Sequence, residues 1–228
     1  MPLNSTRGAG SAKGFGFTSG GVVPADFDYL VVAGGGGAGK TRSGGGGAGG
    51  YRTSFPGGTK LTLTGYGPLS APVTIGGGGA GNSSPTEGNG TDGSSSIFST
   101  ITSAGGGGGG SSCSPVSPGT SGGTGGGAGW PGAGGSEGSG NTPPVSPPQG
   151  NPGGAGSNSG PNPAGGGGGG AGGSPNTVGA GGSGVVIIRA PGAAGISVAP
   201  GTNTVTTLPA PAGGCKVATF TVSGTLTT

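Results

Sequence analysis

The residues of this 228-residue chain that could do chemistry begin with Gly34-Gly35-Gly36-Gly37-Ala38-Gly39-Lys40-Thr41, which satisfies the phosphate-loop pattern GxxxxGK[ST] and follows the apolar run Tyr29 to Val32. Such a loop works only where it opens a helix whose N-terminal amides hold the phosphate. Here Arg42-Ser43 leads into GGGGAGG. Glycine costs about 1 kcal/mol per residue in a helix relative to alanine, so no helix is expected and neither is nucleotide binding. A second motif, Lys13-Gly14-Phe15-Gly16-Phe17, matches the start of an RNA-binding signature and then breaks off into Thr18-Ser19-Gly20-Gly21. No nucleic-acid partner follows from it; Phe15 and Phe17 read instead as docking residues that anchor an N-terminal arm to a neighbouring chain. The chain has no His, five acidic residues that lie apart, and Cys113 and Cys215 separated by 102 positions. No acid–base pair, nucleophilic triad, metal site or cofactor site can be drawn from these, and the chain is not expected to be an enzyme.

The elements that would have to position any site are unusual. Of the 228 residues 70 are Gly and 21 are Pro, while hydrophobic types make up only 27%. Ordering each residue costs about 1–2 kcal/mol of backbone entropy, and side-chain burial offers little to offset it. The chain must be disordered or held by something other than side chains. Its net charge is only +3, with the basic residues scattered, so neither a nucleic-acid face nor a self-repelling coil is indicated. MPLNSTRGAG carries no apolar core of a leader peptide, and no run approaches the length of a membrane span.

Glycine blocks recur at 34–39, 44–50, 76–81, 105–110, 125–129 and 165–173, similar in length and irregular in spacing. Rods joined by loops of different length fit this pattern, whereas a fixed-period solenoid and collagen do not. The regular conformation open to such runs is the left-handed three-fold polyglycine II helix, which has no internal hydrogen bonds and must bond to neighbours if buried. The expected fold is therefore non-α: a bundle of polyglycine II helices braced by short β-strands, with a small C-terminal β module. The divisions are an arm at 1–21, the glycine-rich bundle with surface loops at 22–191, and the β module at 192–228.

Braces are read at Val185 to Ile188 beside Tyr29 to Val32, at Ile97 to Ile101, and as a hairpin between Leu61 to Thr64 and Val73 to Ile75. Asn89-Gly90 and Asp92-Gly93 signal turns. Two loops, Ser111 to Thr124 and Trp130 to Pro163, are rich in Ser, Pro, Asn and Gly. Exposed loops on a rigid scaffold are where binding tends to reside, which makes Trp130, Pro131, Ser136, Asn141, Gln149 and Asn151 candidate contact residues. Trp130 serves equally well as a cap on the bundle.

The phrases STRGAGSAKGFGFTSG, FDYLVVAGGGGAG, GGGGAGGYRTS, SIFSTITSAGGGGGG and GGSGVVIIRAP, which bracket most of residues 5 to 191, resemble the glycine-rich structural proteins of tailed bacteriophages. These include tail-fibre adhesins with a sandwich of polyglycine II helices. The resemblance implies a virion protein at or near a fibre tip, touching a glycan or protein of the host surface through loops between glycine helices. It implies other fibre, tail or capsid proteins as partners, leaves a homo-oligomer open, and places the chain in the extracellular particle, with no membrane insertion. This chain lacks a coiled-coil or β-helical shaft, so a non-adhesive scaffold or capsid decoration stands as the alternative. An ice-binding protein would need a flat Thr or Ala array, which is not found. A disordered glycine-rich linker is opposed by the constant block length.

Overall fold

A computed structural model describes residues 25–65, 68–83, 88–112, 117–129, 135–156, 178–209 and 213–228. The arm with Phe15 and Phe17, the glycine block at 165–173, Trp130, Pro131 and Cys113 lie outside the described residues.

The fold is non-helical, and its strands form two antiparallel sheets. They are β1 (Ala25–Val32), β2 (Tyr51–Thr53), β3 (Leu61–Leu63), β4 (Ser70–Thr74), β5 (Ser96–Phe98), β6 (Ile101–Ser103), β7 (Val185–Ala190), β8 (Ser197–Ala199), β9 (Thr204–Thr207), β10 (Lys216–Phe220) and β11 (Gly224–Thr227). The first sheet runs β2-β1-β7-β10-β9, with β3 also on β1; the second runs β6-β5-β4-β11-β8. Strand β1 pairs with β7 in the register Tyr29 to Ile188 through Val32 to Val185, as the two apolar runs predict. Period-two alternation turns Phe27, Tyr29, Val31, Val186, Ile188, Ala218 and Phe220 of the first sheet inward, to meet Ala71, Val73, Phe98 and Leu226 of the second. This small sandwich is the side-chain core. Residues 192–228 supply β8 to β11, two strands to each sheet.

The remainder is held by backbone. Beyond β1 the amides of 33–39 donate in rotation to three neighbours. Ala33, Gly36 and Gly39 donate to the carbonyls of Gly50, Gly47 and Gly44; Gly34 and Gly37 to Ser94 and Thr91; Gly35 and Ala38 to Gly182 and Gly179. The carbonyls of this segment accept from two more: Gly34 and Gly37 from Gly106 and Gly109, Gly35 and Ala38 from Gly79 and Asn82. The same step of three recurs where Gly44, Gly47 and Gly50 donate to Gly110, Gly107 and Ala104, and where Gly125 and Ala128 donate to Asn151 and Gly154. Since an unpaired buried amide costs about 1–3 kcal/mol, this rotation is what lets a segment be buried without side chains.

Close approach explains why these positions are glycine. A Cβ on Gly36 would lie 2.2 Å from the carbonyl oxygen of Gly107, one on Gly109 1.9 Å from that of Gly44, and one on Gly126 2.0 Å from that of Gly108. At the rim the constraint lifts: a Cβ on Gly77 or Gly182 would meet nothing within 4 Å.

The registers also fix direction. Segments 33–39, 76–82, 104–110, 124–128 and 150–156 run away from the sheets, while 44–50, 88–94, 119–123, 135–141 and 178–184 run back toward them. Several continue straight into strands: β1 into 33–39, β4 toward 76–82, β6 into 104–110, and 178–184 into β7. The described body therefore has two poles, a sheet pole and a far pole where the segments reverse.

Several expectations are corrected. Asn89-Gly90 and Asp92-Gly93 are not turns but part of the network at 88–94, where the amides of Gly90, Thr91, Gly93 and Ser94 donate and the carbonyls of Gly88, Thr91 and Ser94 accept. The Asp92 carboxylate accepts from the Gly108 amide and the Thr120 hydroxyl, and the Asn89 carboxamide bridges Ser111 and Pro118. These side chains bond to neighbouring segments of the bundle as they would otherwise bond local backbone in a turn. Leu61–Leu63 and Ser70–Thr74 do not form a hairpin, because β3 joins β1 and β4 joins β5 and β11 in the opposite sheet. Residues 97–101 are not one strand; Ser99, at φ 54°, turns the chain so that Phe98 pairs with Ile101. The stretches read as loops contain the segments 119–124, 135–141 and 150–156.

Candidate functional site

The phosphate-loop match is occupied by the network itself. Every amide from Gly34 to Lys40 donates to a backbone carbonyl at 2.8–3.2 Å, leaving none to cradle a phosphate. The chain then reverses through Thr41 (φ 57°) and Arg42 (φ 45°), and the Ser43 hydroxyl closes the turn on the Gly39 carbonyl at 2.6 Å.

The ion pairs seen among the described residues gather at the outer face of the first sheet. Asp28 of β1 stands opposite Arg189 of β7. The guanidinium donates through Nε at 3.1 Å and Nη2 at 2.6 Å to Asp28 Oδ2. The Ser54 hydroxyl donates to Oδ1 at 3.1 Å and accepts from the Tyr29 amide, and Lys60 Nζ lies 3.7 Å from Oδ2. The Arg189 guanidinium also lies over the Phe55 ring, 4.8 Å from its centroid. Burial pushes the Asp28 carboxyl up, but the hydrogen bonds from Arg189 and Ser54 and the charge of Lys60 outweigh it, so its pKa lies below the ordinary 3.8. The bond to Asp28 likewise raises that of Arg189. A carboxylate held this firmly ionised is poorly matched to general acid–base work near neutrality. The pair is a clamp between strands far apart in sequence. Only the Arg at the end of the VVII run hinted at it.

Beside the clamp lies a groove of about 370 Å³ over Leu30, Ile187 and Val217, with Phe55 as one wall. Among the described residues no group of three or more His, Cys, Asp or Glu side chains could hold a metal ion, and Cys215 is a half-buried free thiol.

The candidate contact residues separate. Ser136 and Asn151 are exposed, and their carbonyls accept from Gly119 and Gly125. Asn141, at φ 51°, sits at the sheet pole and organises the loop that follows: its Oδ1 accepts from the amides of Val145 and Gln149, and its Nδ2 donates to the Val145 carbonyl. Gln149 is only 1% exposed. Its Oε1 accepts from the Ala104 amide and its Nε2 donates to the Pro143 carbonyl, both at 2.8 Å, so it is an internal strut and cannot present its side chain to a partner. Composition placed it in a loop; that its amide would fill a gap between backbones had no signal in the sequence. Trp130, Pro131, Phe15 and Phe17 lie outside the described residues.

At the far pole are the ends of the reversing segments: Gly39 and Gly44, Asn82 and Gly88, Gly110 and Gly119, Gly129 and Gly135, Gly156 and Val178. Ala25 and Thr228 lie at the sheet pole, since β1 runs toward the network and β11 runs antiparallel to β4, away from it.

Searches of curated proteins and of solved structures returned no match. A family described as Glycine-rich domain matches residues 18–160, a span that takes in the glycine segments from 33 to 156. With well over half of its length covered, the chain belongs to the glycine-rich domain family.

Proposed function

We infer that the glycine segments are polyglycine II helices, and that the protein is a non-enzymatic bacteriophage virion component whose scaffold holds loops against a host surface. The observation that carries this reading is the rotation of hydrogen-bond partners every third residue, the symmetry of a three-fold extended helix. Such a scaffold is stiff because its cohesion is distributed over backbone bonds. Binding loops need that stiffness, since a flexible surface loses affinity to ordering on contact. The polarity supports it further: the glycine segments reverse together at the far pole, away from the two sheets. The receptor class is a glycan or protein of the host envelope, reached through the connections that join the far-pole ends.

The test is adsorption of particles or purified protein to host cells after the connections 40–43 and 130–134 are each replaced by Gly-Ser of equal length. Loss of adsorption with the network's amide protection unchanged is expected. Unchanged adsorption would refute the adhesive reading.

A scaffolding role inside the particle has its own supporting observation. The outer face of the first sheet carries Leu30, Val32, Val185, Ile187 and Val217 beside Thr219 and the Asp28–Arg189 pair, whereas that of the second carries Ser70, Pro72, Thr74, Ile97, Thr225 and Thr227. The more apolar outer face of the first sheet suits docking to another virion protein. Under that role the loop replacements leave adsorption intact, and charging Ile187 abolishes incorporation into the particle.

A further inference from the structure

A second cleft, of about 230 Å³, opens at the β2 edge of the first sheet, away from the far pole and sharing Tyr29 and Thr53 with the groove beside the Asp28 clamp. Its walls are β2 with the turn after it on one side, and the proline-rich loop 146–148 on the other. Tyr51, Arg52, Thr59, Ser146, Pro147 and Pro148 line it. We propose that this cleft binds a pyranose sugar bearing an anionic substituent, a carboxylate or a phosphate.

Three observations carry the assignment. The first is shape and surface: Tyr51 is 52% exposed, an uncommon placement for so large a ring, beside proline rings and within a space suited to one hexose. Aromatic faces of this kind take the C–H face of a sugar, while hydroxyls such as those of Thr59 and Ser146 exchange hydrogen bonds with its hydroxyls. The second is charge. Arg52 forms no ion pair among the described residues, and no acidic side chain lines the cleft. A guanidinium without a carboxylate, its five donors in a planar fork, selects a carboxylate or phosphate. The third is preorganisation. The Tyr51 amide donates to the Gln149 carbonyl at 2.8 Å, Gln149 is strutted to Ala104 and Pro143, and Asn141 holds the loop from within. On the other wall Thr53 Oγ1 donates to the Tyr29 carbonyl and accepts from the Phe55 amide, and the Gly58 amide closes on the Ser54 carbonyl. Both sides of the cleft are fixed before any ligand arrives, which lowers the cost of binding.

The proposal is independent of the far-pole loops, and its test uses the full chain. Glucuronate, glucose 6-phosphate, glucose and inorganic phosphate are titrated separately while the amides of Arg52, Gly58 and Thr59 are followed by NMR. One or both anionic sugars are expected to shift these amides saturably, glucose at least about tenfold more weakly, a difference near 1.4 kcal/mol. The tighter of the two names the anionic group. Tyr51→Ala and Arg52→Gln are each expected to weaken binding by at least that factor, with the Gly36 and Gly107 amides unmoved as a check on the fold. If Arg52→Gln does not fold, Arg52→Lys keeps the charge, loses the fork, and is read in its place. The proposal is overturned by no saturable shift with either anionic sugar, by inorganic phosphate binding as tightly as the sugars, or by affinity that survives both substitutions.

Discussion

The amide of Gly36 donates to the carbonyl of Gly47 at 2.8 Å, and a Cβ placed on Gly36 would stand 2.2 Å from the carbonyl oxygen of Gly107. One residue thus bonds to one neighbour and is pressed against another, with no side chain between. A Gly36→Ala substitution is expected to destabilise the protein by about 3 kcal/mol, the upper end of overpacking costs. Gly77→Ala, at a rim position where a Cβ meets nothing, is expected to be neutral or to stabilise by about 0.4–1 kcal/mol through the unfolded chain. Denaturant unfolding of the pair checks this. Equal effects would mean that glycine is needed for flexibility and not for approach.

Gln149 tests the polar strut. Gln149→Ala leaves the Ala104 amide without its acceptor, with an expected loss of about 1–3 kcal/mol. The protection of the Tyr51 amide, bonded to the Gln149 carbonyl, should fall with it in hydrogen exchange.

Asp28 gives the chain an acid limb. Its pKa is lowered in the folded state, so its contribution to stability is present above the unfolded carboxylate value of about 3.9 and is lost as pH falls through the lower folded value. Acid unfolding should therefore steepen below about pH 4, and Asp28→Asn should flatten that limb while lowering stability at neutral pH. Thermal melts across pH 2 to 7 read both effects.

The phosphate-loop match predicts nothing in this fold. Calorimetry with ATP and magnesium should show no saturable heat, because the Gly34 to Lys40 amides are already committed.

Which parts of the fold are legible in the sequence depends on the physics that specifies each part. The pairing of Tyr29 to Val32 with Val185 to Ile188 was legible because two apolar strands have few places to go in so polar a chain. Glycine blocks were legible as mutually bonded elements because runs without Cβ have few other ways to be buried. The segment 88–94 was hidden by Asn-Gly and Asp-Gly, which signal turns wherever their side chains must satisfy local backbone; here Asp92 and Asn89 satisfy neighbouring segments instead. The split of Leu61–Leu63 and Ser70–Thr74 between sheets rests on long-range partners at Ala25 to Phe27 and Gly224 to Thr227, which no local pattern announces. Of the candidate site, exposure was foreseen for Ser136 and Asn151 and missed for Gln149, whose burial depends on a gap set by backbones alone.

The central claim is that the glycine segments form one cooperative body held by backbone hydrogen bonds, and amide hydrogen exchange on the intact protein tests it most directly. The amides of Gly36, Gly47, Gly107 and Gly126 are predicted to be strongly protected, to exchange with a common free energy, and to be weakened together by Gly36→Ala. Exchange of these amides at random-coil rates, or protection that Gly36→Ala removes only at its immediate neighbours, would contradict it.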